Sequence, residues 1–173
     1  MKSYLIKITL LFATSIAVSQ PIEVKKSKEY FKKAQQYFAS ADYKEAEKAY
    51  SLAIQEDSTN SNAWIRRGFT RGMIKDFDGE MSDYTHVISL KPDHKWAYIS
   101  RGSAHNRLGN YDKAMHDFNK ALEIDSKEPE AYNNRGFTRK MMGDKSGACE
   151  DWVRSKKLGN AEAKIILKNN HCR

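Results

Sequence analysis

The chain repeats itself every 34 residues, and that period decides most of what it can fold into. Gly68, Gly102 and Gly136 stand 34 apart, and so do Arg67, Arg101 and Arg135. The same shift superposes Ala63, Ala97 and Ala131, then Trp64, Tyr98 and Tyr132. It also aligns Asp76, Asn110 and Asp144, then Asp83, Asp117 and Asp151, and finally Tyr84, Phe118 and Trp152. A weaker copy precedes these three, with Tyr30, Ala34, Asp42, Ala46 and Tyr50 in the matching places. A unit of this length cannot bury its apolar face alone, so neighbouring copies must stack.

Inside a copy the apolar spacing is helical. In the third, Ala97, Tyr98, Arg101, Gly102, His105 and Leu108 follow i, i+3, i+4 steps, and Gly109-Asn110 marks a turn. Tyr111, Ala114, Met115, Phe118, Ala121 and Leu122 then resume the same steps. Asp76, Asn110 and Asp144 sit where a side-chain oxygen can cap the second helix of the unit. Pro92 and Pro129 fall between units, where a helix has to stop. Glycine inside a helix costs about 1 kcal/mol relative to alanine. The large rings at Tyr84, Phe118 and Trp152, each sixteen residues after a repeated glycine, account for it, because a missing Cβ lets a ring pack against backbone. Ala34 opposite Tyr50 is a milder form of the same fit.

This pattern resembles the tetratricopeptide-repeat family, with a small residue and an aromatic in the first helix and Ala, aromatic, Ala in the second. Ala114, Phe118 and Ala121 match it, and so do Ala46, Tyr50 and Ala53. The second unit departs with Glu80 and Val87, and the fourth with Ser155. The resemblance runs from Ser27 to about Glu162 and implies an all-α fold. That fold is a right-handed α-solenoid of four 34-residue helix-turn-helix repeats (27–60, 61–94, 95–128 and 129–162). Residues 163–173 follow as a capping helix and tail, and 20–26 precede as a short linker. Ala161 to Lys168 reads as the cap, with Ala163, Ile166 and Leu167 turned inward.

The resemblance also implies a concave surface lined by first helices that binds a peptide or protein. The places that face such a groove are filled here by Phe31, Gln35 and Phe38, then Ile65, Phe69 and Met73. Trp96, Ile99, Ser103 and Asn106 continue it, followed by Asn133, Phe137 and Met141. An alternative packs Phe69 and Phe137 sideways between neighbouring first helices, leaving a smaller and more polar groove. Relatives that grip a C-terminal carboxylate carry Lys and Asn where Phe31 and Gln35 stand, so that clamp is missing.

Relatives mostly have Leu in the column of Arg67, Arg101 and Arg135. An arginine facing a packed interface must meet an acceptor, since an unpaired buried charge is very costly. Asp83, Asp117 and Asp151 lie sixteen residues later each time, and the first unit has Lys33 and Ala49 instead. Three bridges are expected: Arg67 to Asp83, Arg101 to Asp117 and Arg135 to Asp151. The functional alternative makes the three arginines a clamp for an acidic ligand. His86, His94, His105 and His116 lack the i, i+4 spacing of a metal pair, and no cluster of acids or cysteines converges on them. No phosphate-cradling loop and no activated nucleophile stands out, so neither a cofactor, a metal nor a catalytic residue is assigned.

The first 19 residues differ from the rest. Lys2 and Lys7 precede an apolar run from Ile8 to Val18, and Ala17 and Ser19 supply small side chains before a cut at Gln20. This is a secretory signal pattern, too short to cross a hydrocarbon core of about 30 Å as a helix. An uncleaved anchor is the alternative. The expected location is periplasmic or secreted, with no membrane insertion after signal removal. In that setting two cysteines are expected to pair. Cys149 lies ten residues before Gly159 and Cys172 thirteen after, so on antiparallel helices their heights differ by about 5 Å at 1.5 Å per residue. A free buried thiol at Cys149 and a frayed tail is the competing reading.

The net charge of +8 is spread among interspersed signs, as in Lys44-Glu45-Ala46-Glu47-Lys48. Such mixing describes a solvated helix face better than a footprint for phosphates, so no nucleic acid is expected. The chain is expected to be a non-enzymatic scaffold, monomeric alone, that binds a protein or peptide partner outside the cytoplasm. The second reading is a permanent structural subunit of a cell-envelope complex.

Overall fold

A computed structural model describes residues 25–172; the leader at 1–19 and the linker positions 20–24 lie outside the described residues. The chain forms two compact units, one ending at Ile74 and the other starting at Lys75. The first unit contains α1 (25–39), α2 (Tyr43–Glu56) and α3 (Ser61–Met73). The second contains α4 (Phe77–Leu90), α5 (Lys95–Arg107), α6 (Tyr111–Ile124), α7 (Pro129–Met141), α8 (Lys145–Lys157) and α9 (Ala161–Asn169). Among the described residues there is no strand, and no helix is long and apolar enough to cross a membrane. The fold is all-helical and of the repeat-solenoid class, with the second repeat giving one helix to each unit.

The turns inside the repeats share one conformation. Ala41, Lys75, Gly109 and Gly143, each 34 apart, all have positive φ, at 60°, 64°, 73° and 90°. At Ala41, Gly109 and Gly143 the backbone N–H three positions past the helix end closes the turn by donating to a carbonyl five residues back. Asp42 donates to Tyr37, Asn110 to His105 and Asp144 to Arg139, all at 2.9 Å. This is the left-handed helix stop in which glycine is at ease. The first two repeats place Ala and Lys there instead.

Side-chain caps then open the next helices. Asp42 accepts from Glu45, Asp76 from Gly79 and Asp144 from Gly147. Asn110 occupies the same place but makes no side-chain cap bond. Pro129 does not lie between helices but starts α7, where its missing N–H has no intrahelical partner to lose. Residues 25 and 26, expected in the linker, belong to α1, and the cap helix begins at Ala161.

Gly102 and Gly136, the two repeated glycines of the second unit, meet the rings expected of them. A Cβ on Gly102 would fall 2.8 Å from the Phe118 ring, and one on Gly136 would fall 2.7 Å from the Trp152 indole nitrogen. In the second unit Phe118 is the centre of a core with Ile99, Ala114, Ala121, Leu122 and Ala131. In the first unit Tyr50 packs with Ala34, Ala46 and Ala49, and Ala53, Ile54 and Ala63 form a neighbouring cluster.

At the C-terminal end Asn160 caps α9 through the Ala163 N–H, and Ala163 is fully buried, as Ala97 and Ala131 are in α5 and α7. α9 therefore sits as the first helix of an incomplete fifth repeat. Ile166 and Leu167 are half-buried. Cys149 and Cys172 form a disulfide that pins the end of the chain to α8, with Cα atoms 5.5 Å apart.

Candidate protein-binding surface

In the second unit the first helices are α5 and α7. Phe137 and Met141 lie one turn apart on α7 and are each 47% exposed. One turn before Phe137, Asn133 has a buried side-chain oxygen, Oδ1, with no hydrogen-bond partner. Asn106 of α5 is tied to α7, its Nδ2 donating to Thr138 Oγ1 at 2.9 Å. Asn134 Nδ2 similarly donates to Ser103 Oγ at 3.3 Å. The space between α5 and α7 is thus bridged by small polar groups, with Phe137 and Met141 standing free of them.

Trp96 is 42% exposed at the start of α5. Lys95 braces it, with its ammonium 5.5 Å from the indole ring, and also bridges Asp125 at 2.5 Å and Glu128 at 2.7 Å. Ile99 is a correction. It is 4% exposed and belongs to the Phe118 core, so it presents nothing to a ligand. The helical step that carries it toward the groove also faces the unit's own second helix, and the apolar side chain went to the core.

In the first unit Phe69 and Met73 of α3 are also 47% exposed, and Ile65 is half-buried. The Phe69 ring lies 5.7 Å from Phe38 of α1, so it contacts its neighbour sideways while nearly half of it still meets water. Phe31 faces the other way. It is half-buried with its ring edge-on to Tyr50 at 5.5 Å, which makes it a core residue more than a surface one.

Two of the three expected ion pairs appear inside the second unit. Arg101 Nη2 reaches Asp117 Oδ1 and Arg135 Nη2 reaches Asp151 Oδ1, both at 2.7 Å. Both aspartates are buried, and the hydrogen bonds that Arg101 donates to Asp117 hold its guanidinium above its ordinary pKa. Each arginine also lies over the ring three residues before it, Tyr98 or Tyr132. Arg67 shows the same local habits in the first unit, stacked on Trp64 and donating to Ser51 Oγ at 3.1 Å. Asp83 belongs to the second unit and is buried there. These arginines are committed to aspartates and rings, which argues against their forming a clamp for an acidic ligand.

Sequence reasoning assigned no role to Glu80, Arg107 or Arg139. Glu80, standing where the family pattern has alanine, is buried and pairs with Arg107. Arg139 Nη1 lies 3.1 Å from Asp151 Oδ2 and donates to the Gly147 carbonyl at 3.0 Å. The departure from alanine at Glu80 was the one signal available in the sequence. Among the described residues, no group of three or more His, Cys, Asp and Glu side chains is placed to hold a metal.

A family model described as TPR repeat matches residues 102–143. Solved structures of the same fold include the first TPR of Spaghetti (RPAP3) bound to the HSP90 peptide SRMEEVD. That structure is 24% identical with a TM-score of 0.66, and the match covers 69% of this chain and 95% of that one. YrrB, described as a TPR protein with an unusual peptide-binding site, is 17% identical with a TM-score of 0.70, covering 83% and 74%. TTC0263, a thermophilic TPR protein of Thermus thermophilus, is 14% identical with a TM-score of 0.74, covering 84% and 81%. No curated protein matches. Residues 102–143 thus match a tetratricopeptide repeat, and the described helices share the fold of these TPR structures.

Proposed function

We propose that the chain is a non-enzymatic adaptor that binds a peptide or protein through the exposed face of its first helices. In the second unit α7 is the anchor. The observation that carries this is the grouping of Phe137 and Met141 with Asn133 on consecutive turns of one helix. Two large apolar side chains meet water there beside a buried acceptor that lacks a donor. Leaving such an acceptor unmet costs about 1–3 kcal/mol, which a ligand N–H would recover once the Asn133 amide turns outward. Exposed apolar anchors next to a specific polar contact are the usual makeup of an interaction site. The peptide complex of RPAP3 and the peptide-binding site described for YrrB, two structures of the same fold, support the same ligand class. With Phe31 and Gln35 in place of the Lys and Asn of a carboxylate clamp, an internal segment fits better than a free C-terminus.

The site of action in this reading is outside the cytoplasm. The support is the basic and apolar leader together with the Cys149–Cys172 disulfide, a bond that oxidising compartments favour. Intact-mass measurement on protein from its native host tests this part. A mature N-terminus near Gln20 is expected, and a soluble species that keeps Met1 would overturn it.

The binding reading is tested by screening a peptide array and mapping the hits by amide shifts in isotope-labelled protein. Shifts centred on Asn133, Phe137 and Met141 are expected. A hit that shifts only other helices would reject α7 as the anchor. An absence of any peptide ligand, with insolubility unless a fixed neighbour is co-expressed, would favour a permanent envelope subunit instead.

A further inference from the structure

The arginine pattern of the second unit contains a gap. In the fourth repeat Arg139 joins α7 to α8, donating to the Gly147 carbonyl at 3.0 Å and lying 3.1 Å from Asp151 Oδ2. That carboxylate oxygen also accepts from Arg135 Nε at 2.9 Å, so one aspartate holds two guanidinium groups. One repeat earlier the equivalents of Gly147, Asp151 and Arg135 are Lys113, Asp117 and Arg101. Arg101 Nε likewise donates to Asp117 Oδ2 at 2.9 Å. The place of Arg139, however, is taken by His105.

Histidine is too short to replace what is missing. His105 Nδ1 is buried and has no hydrogen-bond partner, and burial lowers its pKa, so the ring is neutral at pH 7. An open recess of about 550 Å³ lies over this spot, lined by Met81, Thr85, Arg101, His105, Lys113 and Asp117. Asp112 also lines it, adding a carboxylate where the fourth repeat has Ser146.

We propose that this recess binds a guanidinium group, presented as an arginine side chain of a peptide partner. The guanidinium takes the position of the absent arginine, donating to Asp117 Oδ2 and the Lys113 carbonyl as Arg139 donates in the next repeat. Asp112 offsets the added charge, and the planar fork distinguishes guanidinium from ammonium. Arg101 is already neutralised by Asp117. Lys113 and His116, both exposed, can swing away from the entering group. This site is separate from the α7 surface, and its failure would leave that reading untouched.

The probe is N-acetyl-arginine methylamide, titrated into the labelled mature protein, beside the lysine and citrulline equivalents. Saturable shifts at the amides of His105, Lys113 and Asp117, without matching shifts at Gly147 and Asp151, are expected for arginine. Citrulline, which keeps the shape and loses the charge, should bind about tenfold more weakly or worse, the scale of one charge-assisted hydrogen bond. His105→Arg should fill the recess from within, raising the melting temperature and removing the shifts. Equal binding of all three probes, no saturable shift, or undiminished binding to a folded His105→Arg variant would overturn the site. If that variant folds poorly, the comparison of probes on the wild type still decides. Tighter binding of free arginine than of the blocked form would overturn a peptide as the source.

Discussion

Arg135 grips Asp151 with two hydrogen bonds, from Nε to Oδ2 at 2.9 Å and from Nη2 to Oδ1 at 2.7 Å, while Nη1 donates to Asn119 Oδ1 at 2.7 Å. The arginine stands on α7, the aspartate on α8 and the asparagine on α6, so one side chain ties three helices. Arg101 does the same one repeat earlier, with Asp117 on α6 and Thr85 on α4. The repetition shows that this is how the second unit fastens α5 and α7 to the second helices on both sides.

The pairs should therefore be strongly coupled. Arg101→Leu strands a carboxylate that is 2% exposed and should cost about 3 kcal/mol. Arg101→Leu with Asp117→Leu should recover much of that loss, because nothing charged is left unpaired. A double-mutant cycle by urea denaturation measures the coupling, and additive single effects would contradict the account.

The left-handed turns make a second expectation. Ala41 holds a positive φ of 60° that costs an L-residue with a Cβ about 1 kcal/mol, and its counterparts Gly109 and Gly143 avoid the cost. Ala41→Gly should raise stability by roughly that amount, less what the unfolded chain gains in freedom. Unchanged or lower thermal stability would show that the first repeat is not strained there.

The disulfide closes a loop with a sequence separation of 23. Loss of the bond in Cys149→Ser/Cys172→Ser should cost about 3 kcal/mol by the chain-entropy account. Because the bridge holds the end of α9, hydrogen exchange should rise first in Ala161–Asn169. Thiol titration of the unreduced, denatured wild type should find no free cysteine.

Burial lowers the pKa of His105, with Asp117 opposing and Arg101 and Lys113 reinforcing the shift. The unfolded chain, with an ordinary value of 6.5, takes up the proton first. The contribution of neutral His105 is complete above that pH and is lost as pH falls below it. His105→Asn should therefore flatten the drop in melting temperature on the acid side of 6.5. A wild-type slope that survives the substitution would assign the drop to other groups.

The period was legible because packing wrote it into residue size. Gly102 and Gly136 are needed wherever Phe118 and Trp152 press on backbone, and the rings and glycines reappear together. The Arg–Asp pairs of the second unit were legible for the same reason, since both partners recur at one spacing. Ile99 was not. Its helical position serves both the open face and the core beneath Phe118, and periodicity does not say which side takes the residue. Phe31 went to Tyr50 in the same way. Glu80 was hidden because its partner Arg107 is 27 residues away and outside every repeated column. The gap at His105 shows only when the hydrogen bonds of Arg139 are known.

The contrast between Ile99 and Phe137 gives the sharpest test of the binding surface. Both were expected on it, yet one is 4% exposed in the core and the other 47% exposed on α7. Ile99→Asp buries a carboxylate with no partner in an apolar cluster and should cost about 3 kcal/mol or more. Phe137→Asp changes a side chain that is only half covered, and it should cost less, about 1–2 kcal/mol. Peptide binding should follow the opposite order. Phe137→Asp should lose it in a fully folded protein, because an aromatic anchor carries much of the energy of an interface and a carboxylate repels an apolar contact. Ile99→Val, which preserves the core, should bind as the wild type does. Melting curves paired with peptide titrations decide the matter. If Phe137→Asp unfolds readily, the ring is a packing residue, and if it folds and still binds, the ligand sits elsewhere.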